Sequence, residues 1–145
     1  MRNRMEVLRP LVLAVLFAGY ARAADLTVAH AWFRALPAGL PAGGYFSLHN
    51  AGATPVKLVG AKSAACGTLM LHQSTESGGM SRMNDVASVA VEAGGTVAFA
   101  PGGYHLMCMH PSSAMAPGRQ VTVTLLFADG ARTDAVFAVK NAAGE

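Results

Sequence analysis

Alternation with a period of two is the feature that most constrains this chain. Over residues 121–127, Val121, Val123, Leu125 and Phe127 alternate with Thr122 and Thr124. Successive side chains of a strand point to opposite faces, so such a run gives one buried and one exposed face. Asp129-Gly130 follows, and a second β-run then reaches Val139. Asp-Gly between two such runs predicts a hairpin. Upstream, short β-runs recur at 26–33, 45–49, 56–61, 69–73, 82–86 with 87–91 continuing it, 97–100 and 104–109. Turn residues separate them: PAGLPAGG at 37–44, Asn50-Ala51-Gly52, Ser77-Gly78-Gly79 and Pro101-Gly102-Gly103. No stretch carries a convincing helical period. Strands at this spacing predict an all-β domain, a Greek-key β-barrel or sandwich.

The N-terminus belongs to a different object. Arg2, Arg4 and Arg9 precede the apolar run 11–18 (LVLAVLFA), and Ala21-Arg22-Ala23 fits a small-x-small cleavage site. This predicts a cleaved signal peptide over residues 1–23 and a single mature domain over 24–145. The apolar run is too short to span a bilayer comfortably, so no stable membrane insertion of the mature chain is expected. The leader takes four Arg and one Glu from a total of eleven basic and eight acidic residues. Seven of each remain, and the mature net charge is zero. No basic run survives, so nucleic-acid binding has no electrostatic footprint.

Donor atoms then stand out against this neutral β-chain. His72 and Met83 are separated by ten residues, Met83 and His105 by twenty-one, and His105 and Met107 by one. Alternation puts His105, Met107 and Met109 on one face of their run, with Leu106 and Cys108 on the other. The Gly-rich loop at 77–79 makes 69–86 a hairpin, which brings His72 and Met83 into neighbouring positions. Thioether sulfur is a neutral, polarisable donor that selects soft ions, and imidazole suits copper in either state. Two imidazoles and two thioethers therefore suit Cu(I). All six methionines beyond the leader lie within residues 70–115. Met80 and Met109 are possible substitute ligands. Met70, between Leu69 and Leu71, reads as core filler, a common use of methionine. His30 and His49 read as ordinary strand histidines, and His110 precedes Pro111 at a strand end.

The spacing H-x10-M-x21-H-x-M, with Gly-Gly-Tyr-His-Leu-Met at 102–107, resembles the PCu(A)C family of periplasmic copper chaperones. Ala31-Trp32-Phe33-Arg34, Gly44-Tyr45-Phe46 through Asn50, Met80-Ser81-Arg82-Met83 and Ala93-Gly94-Gly95-Thr96 extend the resemblance over nearly all of the mature chain. The family implies a cupredoxin-like β-barrel in the periplasm with Cu(I) on His72, Met83, His105 and Met107. It also implies delivery of copper to cytochrome oxidase, chiefly the binuclear centre of subunit II. The expected partner is that subunit or another periplasmic copper-assembly protein, and the expected state is a monomer. Two departures stand out. Cys108 occupies a usually aliphatic position, and the chain ends VKNAAGE without a His- and Met-rich tail.

Two other readings compete. A blue-copper electron carrier would use His72, Cys108, His110 and Met115, although a single residue between Cys108 and His110 is short for such a ligand loop. A metal-free exported β-domain that binds another protein is the second. No paired acid–base carboxylates, Ser-His-Asp order or HExxH motif supports an enzyme. Cys66 and Cys108 are free to pair in an oxidising compartment, and alternation alone leaves that pairing open.

Overall fold

The computed structural model describes residues 25–145. The expected leader and its cleavage site lie outside them. Ten strands follow in order: β1 (Leu26–Arg34), β2 (Ala42–Asn50), β3 (Val56–Lys62), β4 (Cys66–Ser77), β5 (Met80–Asp85), β6 (Val89–Val91), β7 (Thr96–Phe99), β8 (Tyr104–Pro111), β9 (Gln120–Phe127) and β10 (Arg132–Lys140). A short 3-10 turn at Pro37–Gly39 joins β1 to β2. Among the described residues no helix is long and apolar enough to cross a membrane.

The strands form one open hydrogen-bonded path, β5-β4-β8-β2-β1-β10-β9-β3-β6, with β7 also pairing β2. The fold is the expected cupredoxin-like all-β domain. One pairing is parallel, between β1 and β10. Alternation sets which side chains are buried. Phe33, Phe46 and Phe137 meet at the centre, with ring centroids 5.1 Å apart for Phe33–Phe137 and 5.6 Å for Phe46–Phe137. Leu48, Leu58, Leu106, Val123 and Leu125 are fully buried around them. Aromatic contacts of this kind add to the area they bury. Among the described residues, Asn50 is buried in the core and polar. Its Nδ2 donates to the Thr54 and Val91 carbonyls, and its Oδ1 accepts from the Gly52 N–H, so its burial leaves no unmet polar atom.

The Asp129-Gly130 hairpin forms as expected between β9 and β10. Three sequence expectations are revised. Residues 42–44 are strand rather than loop, because a glycine at 44 lets β2 run against the Phe33 ring; a Cβ there would lie 2.6 Å from Phe33 Cε1. The run at 69–73 is the middle of a longer strand, β4. Residues 89–91 do not continue β5 but form a separate strand on β3.

Candidate metal centre

Register brings the donors together. β4 and β8 are antiparallel, with His72 opposite His105 and Met70 opposite Met107. Opposite residues of such a pair share a face, about 4.5–5.5 Å apart at the backbone. On the other side of β4 lies β5, where Met83 faces Ser74 and Asp85 faces His72. His72, Met83, His105 and Met107 therefore occupy one face of the three-stranded edge β5-β4-β8. The hairpin that places Met83 turns on Gly78 and Gly79, whose φ values are +59° and +79°. Two consecutive left-handed residues make the tight turn that matches strand twist, and glycine adopts them without strain.

The two imidazoles form the base of the site. Their ring centroids are 5.6 Å apart and the planes nearly perpendicular at 81°. His105 is 4% exposed. Its Nδ1 lies 3.3 Å from the Gly103 carbonyl, so Nδ1 carries the proton and Nε2 the lone pair. That Nε2 is buried without a hydrogen-bond partner. A backbone carbonyl that fixes the tautomer of a ring with an open second nitrogen is the usual support of a metal-ligating histidine. Gly103 is itself held, because Ser74 N–H donates to its carbonyl at 3.0 Å. Burial pushes the His105 pKa below the ordinary imidazole value; the Gly103 carbonyl pulls it upward, and the nearby His72 adds to the lowering. His105 is thus neutral near pH 7, the form that binds metal.

His72 is part-exposed at the edge. Its Nε2 approaches Asp85 Oδ1 at 2.8 Å, but the alignment falls outside hydrogen-bond geometry, and neither ring nitrogen has a hydrogen-bond partner. The contact sets this ring nitrogen beside an exposed carboxylate. Met107 is half-buried, and Met83 is 62% exposed. The site grades from a buried nitrogen floor to a wet thioether rim. Among the described residues no three of His, Cys, Asp and Glu gather into a metal-binding group; the thioethers of Met83 and Met107 are the further soft donors on this face.

Other candidates fall elsewhere. Met80 lies on β5 at odd spacing from Met83 and so on the opposite face of the ribbon. Met109 shares the site face but pairs with Thr68, roughly 13 Å along β8 from His105 at strand rise. His30 is exposed at a bulge in β1 with φ +54°, and His49 Nδ1 contacts Thr96 Oγ1 at 2.8 Å. Met70 overturns its reading as core. Leu69 and Leu71 are buried, whereas Met70 points outward and is 37% exposed.

The blue-copper alternative fails on position. Cys108 is fully buried and bonded to Cys66, with Cα atoms 5.3 Å apart. A disulfide sulfur is no thiolate ligand. His110 is exposed with φ +50°, and Met115 is buried in the core. Asp85 and Met70 are the site neighbours that sequence reading missed. The turn at Gly78-Gly79 carries the signal for Asp85, since symmetry about it pairs residue 85 with residue 72.

Fold and site together define a class: a cupredoxin-like β-domain with imidazole and thioether groups on one outer sheet face. The chain belongs to the family described as putative lipoprotein LpqE-like, whose profile matches residues 26–139. It is 32% identical over 124 residues to the putative lipoprotein Lxx21020 of Leifsonia xyli subsp. xyli, covering 85% of this chain and 74% of that one. Among solved structures it resembles Cu(I)-DR1885 from Deinococcus radiodurans, with 32% identity, a TM-score of 0.63 and coverage of 78% of this chain and 76% of that chain. The copper-bound PCuAC domain from PmoF2 shares the fold at a TM-score of 0.67 and 24% identity, over 81% of this chain and 93% of that domain.

Proposed function

We propose that this protein is a periplasmic copper chaperone, exported by a leader at residues 1–23. In this reading the domain over 24–145 carries one Cu(I) on His72, Met83, His105 and Met107. It passes the ion, as cargo, to a copper centre of cytochrome oxidase, chiefly the binuclear centre of subunit II. The observation that carries the reading is the buried, partnerless Nε2 of His105 beside His72, with Met107 and Met83 on the same sheet face. The resemblance to a Cu(I)-loaded PCuAC-type structure supports it. So does the donor chemistry. Thioethers have no proton to lose and form no disulfides, so they hold Cu(I) where a thiolate pair would oxidise. A carrier needs no base or nucleophile, only ligands that exchange one at a time, and an exposed Met83 meets that need.

A Cu(I) competition titration tests the reading. One equivalent of Cu(I) binds, and the affinity falls between about pH 7.5 and 5.5 because protonated imidazole cannot coordinate. A flat titration across that range removes the two histidines from the site. Transfer of Cu(I) to a purified apo copper domain of oxidase subunit II tests the acceptor; if the domain stays empty, the delivery step is wrong even if binding stands.

A further inference from the structure

Met70 is the outward residue that the four-donor set leaves unused. It lies on β4 two residues before His72, directly opposite Met107 on β8. The two cross-strand pairs make adjacent rungs of one ladder, His72–His105 and Met70–Met107, roughly 7 Å apart along the strands. Both rungs face outward, as the burial of Leu69, Leu71, Leu106 and Cys108 on the opposite side requires. β5 pairs with β4 from His72 onward, with the Val86 N–H donating to the Leu71 carbonyl just beyond it, and Met70 itself enters no pair with β5. The Met70 side chain is left 37% exposed there, outside the buried core. Its soft sulfur is the property that the position can use. Methionine side chains turn about three bonds, so two thioethers with Cβ atoms about 5 Å apart can close on one soft ion.

We propose that Met70 and Met107 form a second, thioether-only Cu(I) position beside the histidine rung, and that copper enters and leaves the centre through it. The inference rests on the copper reading above. The step is ligand exchange alone. A Cu–S bond to Met70 forms as a Cu–N bond to His72 or His105 breaks, while Met107 stays attached to both arrangements. Copper remains Cu(I) throughout, and no proton or electron moves. The Met70 side of the ladder is open to an approaching acceptor, whereas His105 lies at the buried end.

Methyl-labelled methionine NMR of the whole chain, titrated with Cu(I), tests the proposal. In the parent, the Met70 methyl signal shifts along with those of Met83 and Met107, while that of buried Met115 stays still. The double variant His72→Ala/His105→Ala still binds Cu(I), at least about tenfold more weakly, with Met70 and Met107 shifting together. Adding Met70→Leu, a change that conserves volume, abolishes that residual binding. In the parent background Met70→Leu slows Cu(I) release to a chelator by about fivefold or more, an effect on rate of the kind that separates related complexes. If Met83 and Met107 shift but Met70 does not, and the double variant binds nothing, the second position is overturned and the chaperone reading survives. If the parent binds no Cu(I), both fall.

Discussion

His105 is the residue on which the site's behaviour turns. It is buried, and desolvation first, with the neighbouring His72 adding, holds its pKa below 6.5. The unfolded chain takes up a proton near pH 6.5 that the folded chain refuses until lower pH. Stability therefore rises with pH through that window; the contribution is full above about 6.5 and is lost as pH falls through the lowered folded value. We predict that denaturant midpoints of the copper-free protein fall between about pH 7.5 and 5.5, and that His105→Gln flattens this slope. An unchanged slope in the variant would assign the effect to another group. Met83 makes the opposite prediction. It is 62% exposed, so Met83→Ala changes stability by no more than about 0.5 kcal/mol while weakening Cu(I) binding. Equal Cu(I) affinity in parent and variant would remove Met83 from the ligand set. Much of this was legible in the sequence. Alternation gives His105 and Met107 one face, and the same rule applied from His72 puts Met70 outward. The two flanking leucines obscured that, because an apolar trio reads as core when only its polarity is considered.

The elements differ in what holds them. β5 is an edge strand with every residue exposed, tied to β4 by its ladder and a two-glycine turn. β2 is held by close approach. Gly44 faces the Phe33 ring so tightly that an added methyl would sit 2.6 Å from it, and Gly43 lies under the Tyr45 hydroxyl in the same way, at 2.8 Å. The Phe33 ring is locked in the core, so we predict that Gly44→Ala costs about 1–3 kcal/mol through overpacking. Urea denaturation reads this directly. Gly43→Ala is milder, since the exposed end of a tyrosine can swing aside. These contacts explain why residues 42–44 read as loop. Consecutive glycines signal a turn when neighbours in sequence are all that is known, and the Phe33 ring that requires Gly44 lies on another strand. Tyr45 in turn stacks on Trp32 at 4.9 Å, with Arg34 and Lys140 over the Trp32 ring at 5.3 and 5.2 Å. This cationic and aromatic surface continues the sheet face that carries Met107, since Gly43 pairs with Met107.

At the scale of the molecule, the Cys66–Cys108 bond closes a loop with a sequence separation of 42. It ties β4 to β8, the strands that carry both histidines and Met107. The chain entropy that such a bond removes from the unfolded state is worth about 4 kcal/mol. We predict that Cys66→Ser/Cys108→Ser loses about 2–4 kcal/mol by chemical denaturation and weakens Cu(I) binding, because the two rungs are then aligned by hydrogen bonds alone. The all-β class was legible throughout, from the clear alternation at 121–127 to the turns. The disulfide was not, because a bond across two strands needs their register, and no local pattern supplies it. The pairing of β1 with β10 was hidden for the same reason. That pairing has a consequence for how the molecule comes into being. β10 is the last described strand, yet it fills the seam beside β1, the first, and joins the half of the sheet that carries His72 and His105 to the half formed by β9, β3 and β6. A chain made from its N-terminus holds β1 half-paired until the final strand is available. The β1–β10 seam therefore closes only after every strand between the two has been made, so the halves of the sheet are joined late.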